Sequence, residues 1–445
     1  MVNRLRGAPA ALSLTLGLMV GQGLAGGAQA QQPVTLTQWQ TNLRPADLEG
    51  INKLISAFEA KNPGVKIQIE QTPWATHNQK VLAAFSAGSG LPDVGRLGDV
   101  GQAANVGFVK KLDSYVDPAW KASIVDVAWA DVSFPREGEK ESHIWAIPKM
   151  LATEVWFYNK TMFRKAGLDP EKPPQTIEEF QKVAKALTLD TNGDGRVDQW
   201  GVSLTGAAEG GPWRQYISIA KSFGGRLVKT PRYVDSQPDE PVTWNSPETV
   251  AAFKWLVGLV KDGVSPPSTI SDTVRDVPNN FRAGKVAMAM MGPWEMQATK
   301  EAFAKNGWEY GMFRAPQGAA GRGEFMYVGA LALFSQSKND KEVIQYLKYY
   351  TSPEGLALYM KTNGMIPANK QSLADPYWAE DPLYRVLLDT INNADLHSPK
   401  WMGLRGAAAH FDSVWTPIYQ KMLAGDITPE AGVKQMQDTL VKFLK

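Results

Sequence analysis

The run Asp190-Thr191-Asn192-Gly193-Asp194-Gly195-Arg196-Val197-Asp198 is the densest group of oxygen donors in the chain. Asp190, Asn192, Asp194 and Asp198 fall at the first, third, fifth and ninth positions of a calcium loop. Arg196 could offer its carbonyl at the seventh, and Gly195 stands where the loop must turn sharply. The twelfth position is Gly201 rather than a bidentate glutamate, so the run departs from an EF-hand, and Gln199 is the candidate for the missing oxygen. The chemistry expected is a structural Ca²⁺ staple, against a plain Asx-rich turn. Histidine is scarce (His77, His143, His397, His410), cysteine is absent, and no pair has the spacing of a zinc site. No nucleophile elbow, P-loop or dinucleotide fingerprint occurs. Carboxylate pairs for glycoside hydrolysis are defined by separation in space, and 45 acids give many accidental pairs. What the residue types favour is binding. Fifteen Trp and thirteen Tyr are many, and amphipathic rings that are not all needed in cores often line binding surfaces.

The best placed of these rings is Trp294. It ends the stretch Phe281–Trp294, in which Gly284 stops a helix and Val286–Met291 is a short continuous apolar run. Such a run reads as a strand buried on both faces. Gly292-Pro293 then breaks the strand and leaves an indole at its end. In open α/β sheets ligands bind in the crevice outside strand ends, and the apolar face of a sugar is one partner for a flat ring. The competing reading is a rim or core packing residue.

Other elements follow in order. Val34–Trp39 alternates as a strand, Leu48 to Phe58 recurs at helical spacing, Val65–Ile69 is a second strand, and Asn78–Ala87 a second helix. The βαβαβ order predicts a largely parallel sheet. The first thirty residues read as a secretory leader, with Arg4 and Arg6, the apolar stretch Ala8–Val20, and Ala28-Gln29-Ala30 as the cleavage site. Removing them from 445 residues leaves 415, and removing their two arginines takes the formal charge from +2 to zero. A balanced surface gives no footprint for nucleic acid or anionic lipid. No later stretch reaches eighteen apolar residues, and no Cys is available for a lipid anchor, so no membrane insertion is expected.

Several pieces together resemble one family. They are FEAKNPGVKIQIE, LAAFSAGSGLPDV, GFVKKLD, AIPKMLATEVWFYNK, GKVAMAMMGPW, VGALALFSQSKNDKEVIQYLKYYTSPEG and GMIPAN. In this order and spread over nearly the whole chain, they are similar to extracellular solute-binding proteins of the sugar-binding type, the group of the maltose-binding proteins. The resemblance implies an α/β, two-lobed periplasmic-binding-protein fold with a hinge and an interlobe ligand cleft. It implies a first lobe of residues 31–146 plus 331–353, a second of 147–330 plus 354–445, and hinge crossings near Ile147, Ala330 and Ser352. It also implies a monomeric, non-enzymatic periplasmic component of an ABC importer that captures a sugar, expected to be an oligosaccharide, and delivers it to membrane permease subunits. A glycerol phosphodiester ligand, or a secreted carbohydrate-active enzyme with a carboxylate pair, are the alternatives.

Candidate ligand residues come from positions matching the family. Asn42 and Arg44 follow the first strand, Trp74 and His77 open the second helix, and Asp99 stands where the family has a hydroxyl-binding acid. Trp213 and Arg214 lie a helix-length before Gly224-Gly225, where the family presents an aromatic. Trp294 has Glu295 beside it, Gly329 offers backbone groups, and Trp401, Arg405, Phe411 and Asp412 lie where a C-terminal aromatic closes the site. Four residues after Pro148, where maltose-binding proteins place an acid, this chain has Ala152, with Glu154 two further on. That departure argues against maltose itself.

Overall fold

The computed structural model of the chain describes residues 33–41, 43–208, 211–237 and 240–445. The leader and Asn42 lie outside these. Two sheets organise the described residues. The larger has, in spatial order, the strands Ile366–Pro367, Ile147–Ala152, Phe325–Leu333, Val94–Gly95, Val34–Thr41 and Val65–Thr72, with Asp395–Leu396 paired to Phe325–Leu333. The smaller runs Tyr310–Phe313, Val155–Asn159, Val286–Met291, Trp200–Ser203.

The first βαβ unit forms as its pattern requires. Val34–Thr41 pairs in parallel with Val65–Thr72 and with Val94–Gly95. Between them the helix Pro45–Lys61 starts at Pro45, and Asp47 accepts from the Arg44 backbone N–H at 3.1 Å, closing the first turn as a cap does. Ile51, Leu54 and Phe58, at helical spacing, are fully buried against the sheet.

Val286–Met291 is buried at all six positions. It runs parallel to Trp200–Ser203 and antiparallel to Val155–Asn159, so both its edges are hydrogen-bonded. Its faces divide between two cores. Val286, Ala289 and Met291 join the cluster that continues into the larger sheet, and Ala287, Met288 and Met290 join a second cluster around Trp156, Tyr216, Phe253 and Trp415.

The chain passes between sheets elsewhere than expected. Ile147–Ala152 hydrogen-bonds wholly within the larger sheet, so the first crossing is Thr153-Glu154, not Ile147. Thr153 Oγ1 donates to the Phe325 carbonyl at 2.7 Å, tying that crossing to the strand by which the chain returns. Phe325–Leu333 lies in the larger sheet along its whole length, with an irregularity at Gly329/Ala330. Ser352 is not a crossing. The helix Pro353–Asn363 packs on Pro45–Lys61, and Ile366–Pro367 extends the larger sheet, so these residues belong with the first lobe.

Candidate ligand-binding site

A cavity of about 640 Å³ opens between the two sheets, within the roughly 300–1,000 Å³ common for ligand pockets. Its first wall is built at the carboxyl ends of the parallel strands, by Gln40 and Thr41, by Arg44 and Asp47 of the following helix, and by Arg96 to Gly101. Lys149 and Met150 continue it. The opposite wall carries Glu154, Arg214, Gln215, Met290 to Gly292, Trp294 and Glu295, and Tyr327 and the segment 396–400 complete the lining. This is the strand-end crevice where open α/β sheets hold ligands.

Trp294 sits in the short 3-10 turn Pro293–Glu295. A Cβ built on Gly292 would lie 2.2 Å from the indole Cη2, so the ring folds back over the strand end because Gly292 has no side chain. Tyr327 lies 6.2 Å from it at 50°. The two rings give the cavity a partly buried aromatic corner.

Charged contacts join the walls on both flanks. On one, Arg44 donates to Asp47 (Nε to Oδ2, 2.7 Å) and to the main-chain carbonyl of Trp294. Glu295 is held by Arg282 at 2.5 Å. On the other flank, Lys400 pairs with Asp131 at 2.6 Å, and the Asp131 carboxylate also accepts from the Val328 N–H at 3.1 Å. Burial pushes the Asp131 carboxyl up, but the Lys400 ammonium outweighs it and leaves it below the ordinary value. Beside this pair, Arg405 meets Glu137 at 3.2 Å and Asn105 donates to the Leu404 carbonyl at 3.4 Å. The helices Val100–Asn105 and Lys400–Leu404 approach closely here. A Cβ on Gly101 would stand 3.3 Å from the Leu404 nitrogen.

Burial also raises the carboxyls of Asp99 and Glu154, against hydrogen bonds from Gln102 N–H and Gln215 Nε2 respectively. His397 is pushed down to about 3 by burial and then by Arg214, so it faces the cavity as a neutral ring. These groups can accept and donate hydrogen bonds around a polyol.

Of the residues chosen from sequence, the structure brings Arg44, Asp99, Arg214, Trp294 and Glu295 into the lining. Others stand behind it. His77 is buried, with Nδ1 2.5 Å from Thr72 Oγ1 and Nε2 2.8 Å from the Arg96 carbonyl, and so positions Arg96. Trp213 is a core residue packed on His397 and Phe411. Phe411 and Trp401 are also core. Asp412 lies behind Arg214, with its carboxyl pushed up to about 6 by burial. Arg405 belongs to the flank contacts, and a Cβ on Gly329 would meet Met150 Cγ at 2.4 Å, so that glycine serves packing. Trp74 starts the helix Trp74–Ser86, and its side chain is outside the description. The sequence reading missed Gln40, Arg96, Asp131, Lys149, Tyr327, His397 and Lys400. The signal for Arg96 was its place just past the Val94-Gly95 strand. Glu154, noted only as a displaced acid, lines the cavity.

The expected calcium loop is arranged otherwise. Asp190 accepts from the Gly193 and Gly195 N–H groups at 2.7 Å each. Asp194 accepts from Arg196 N–H, Asn192 from Asp194 N–H, and Asp198 from Thr191. Gln199 turns inward and donates to the Leu187 carbonyl at 2.9 Å. The oxygens cap backbone amides, and no group of three or more acids and histidines fit to hold a metal occurs among the described residues.

Known proteins share this architecture. The receptor GacH of Streptomyces glaucescens, solved unliganded and with acarbose, superposes with a TM-score of 0.78 at 23% identity, covering 93% of this chain and 99% of that one. A maltotriose-binding protein of Pyrococcus abyssi is 25% identical over 382 residues, 82% of this chain and 75% of its own. The sn-glycerol-3-phosphate-binding periplasmic protein of Escherichia coli is 26% identical over 376 residues, 82% and 80%. Among the described residues no helix is long and apolar enough to cross a membrane. The family model for bacterial extracellular solute-binding proteins matches residues 44–357. A match over that much of the chain, on a two-lobed fold with its cleft at the strand ends, establishes that this protein belongs to the bacterial extracellular solute-binding proteins.

Proposed function

We propose that the protein is the substrate-binding component of an ABC importer, which takes a saccharide between its lobes and passes it to permease subunits. The carrying observation is a cavity lined from both sheets that joins an aromatic corner, Trp294 and Tyr327, to many hydrogen-bonding groups. Rings cover the apolar face of a sugar, and paired polar groups select its hydroxyls, because a buried donor or acceptor left unmatched is costly. An oligosaccharide is the favoured size, supported by the maltotriose-binding relative. The protein acts as a monomer, does no covalent chemistry and works in the periplasm after losing its leader. A glycerol phosphodiester is the second reading, favoured by the relative that binds sn-glycerol 3-phosphate.

The test is calorimetric titration of the mature protein with neutral oligosaccharides and glycerol phosphodiesters, followed by recovery of the ligand. Binding of an intact saccharide, weakened about tenfold or more by Trp294→Ala in a folded protein, supports the reading. Unchanged affinity in that variant means the site lies elsewhere. Cleavage of the ligand would make the protein an enzyme.

A further inference from the structure

The first wall of the cavity carries the donors Lys149, Gln40 and Arg96 as well as the carboxylates Asp47 and Asp99. Lys149 is 2% exposed and lines the cavity. Its ammonium donates to the Tyr350 hydroxyl at 3.1 Å and lies 5.2 and 5.0 Å from the centres of the Tyr350 and Tyr359 rings. It makes no ion pair among the described residues. The carboxylate whose charge reaches it is Asp47, and Asp47 is taken by Arg44 through three hydrogen bonds. Gln40, also 2% exposed, lines the same wall, and its side-chain nitrogen has no partner. Arg96 completes the group. The parallel register Gln38↔Val94, Trp39↔Gly95 makes Gln40 and Arg96 the next pair at the open strand ends.

A buried cation without a counter-charge and a buried donor without an acceptor are both unfavourable. A neutral hydroxyl could accept from the amide but would leave the charge unpaired. A carboxylate or phosphate would satisfy both, and Arg suits either anion through paired hydrogen bonds. We propose that Lys149, Arg96 and Gln40 form an anion subsite in the first wall, and that the ligand is an acidic saccharide whose carboxylate or phosphate enters it. This rests on the reading of the cleft as a saccharide site.

Proton linkage gives a signature. Burial, then Arg96, pushes Lys149 down to about 7. The groups facing it are Arg96, Asp47 with its partner Arg44, Tyr350 and Tyr359. Burial raises both tyrosines far above neutrality. An anion beside Lys149 would restore its ordinary value, so binding takes up a proton once the free lysine is neutral. Affinity for a carboxylate ligand then falls about tenfold from pH 6 to pH 8.

The experiment titrates the mature protein with mono- to trisaccharides bearing a uronate or a phosphate, each beside its neutral parent, and with inorganic phosphate alone. The expected result is at least tenfold tighter binding of one acidic class than of its parent. Lys149→Met should abolish that preference and keep the melting temperature. Gln40→Met, which keeps the charge, should lose less. Preference for uronates or for sugar phosphates identifies the source of the anion, and tight inorganic phosphate alone would overturn the saccharide part. Equal affinity for acidic and neutral sugars, unchanged in Lys149→Met but weakened by Trp294→Ala, overturns the subsite and leaves the saccharide reading standing. Failure of the whole panel to bind overturns both.

Discussion

Replacing Lys400 with Met tests whether the flank contacts belong to the ligand-holding state. Lys400 meets Asp131 at 2.6 Å, and the side chains are 26% and 14% exposed. Hydrogen bonds between charged groups are worth roughly 1.5–3 kcal/mol, and partial exposure favours the lower half, about 2 kcal/mol. Asp131 belongs to a helix against the larger sheet, while Lys400 opens a helix whose Trp401 and Met402 sit in the second core. The pair therefore exists only where the walls meet, and losing it penalises the closed arrangement rather than either lobe. If ligand is held in that arrangement, about 2 kcal/mol becomes roughly a thirtyfold rise in Kd. Isothermal titration at constant ionic strength measures it, and a cycle with Asp131→Asn separates the pair from any direct contact of Lys400 with ligand. The reasoning is refuted if Kd moves less than twofold. It is equally refuted if the unliganded protein loses the full 2 kcal/mol, because the pair would then be part of the resting fold.

Gly292→Ala should reproduce most of the binding loss of Trp294→Ala while leaving the fold intact. Its φ of −98° suits alanine, but the new methyl displaces the indole; a titration showing native affinity would mean the ring's position is irrelevant. Asp412→Asn should flatten part of the stability profile in acid. Burial raises the native carboxyl to about 6, so between about pH 4 and 6 the folded state holds a proton the unfolded state has lost. Wild-type stability therefore falls with rising pH through that window, by up to about 3 kcal/mol, and the variant should melt higher than wild type at pH 7. Parallel melting curves from pH 4 to 7 would show that Asp412 does not titrate there.

Which parts of this molecule could be read from its sequence follows from how local each signal is. Val286–Met291 was legible because six apolar residues between Gly284 and Gly292-Pro293 admit few readings, and all six are buried. Asp99 was legible both as a helix cap and as a cleft residue, and it is both. Trp213, Trp401 and Phe411 stand behind the lining for a different reason. The helix Pro212–Phe223 buries ten of its twelve residues, so spacing could not say which face Trp213 takes. Phe411–Trp415 is a π-helical turn, which shifts the face expected from an α-helical period. Gln40, Arg96 and Lys149 were hidden because a polar residue at a strand end looks the same whether the end meets solvent or a second lobe. The crossings were misplaced because Ile147–Ala152 is apolar enough for either sheet, and only pairing with Phe325–Leu333 decides.

The two-residue crossing at Thr153-Glu154, fastened to Phe325, leaves the lobes little slack. A joint that short limits how far the lobes can slide past one another. The entropy surrendered when the lobes settle on a ligand is then smaller than for a long tether, so more of the contact energy appears as affinity. Glu154 belongs to that joint and also lines the cavity. A ligand that touches it touches the joint between the lobes directly.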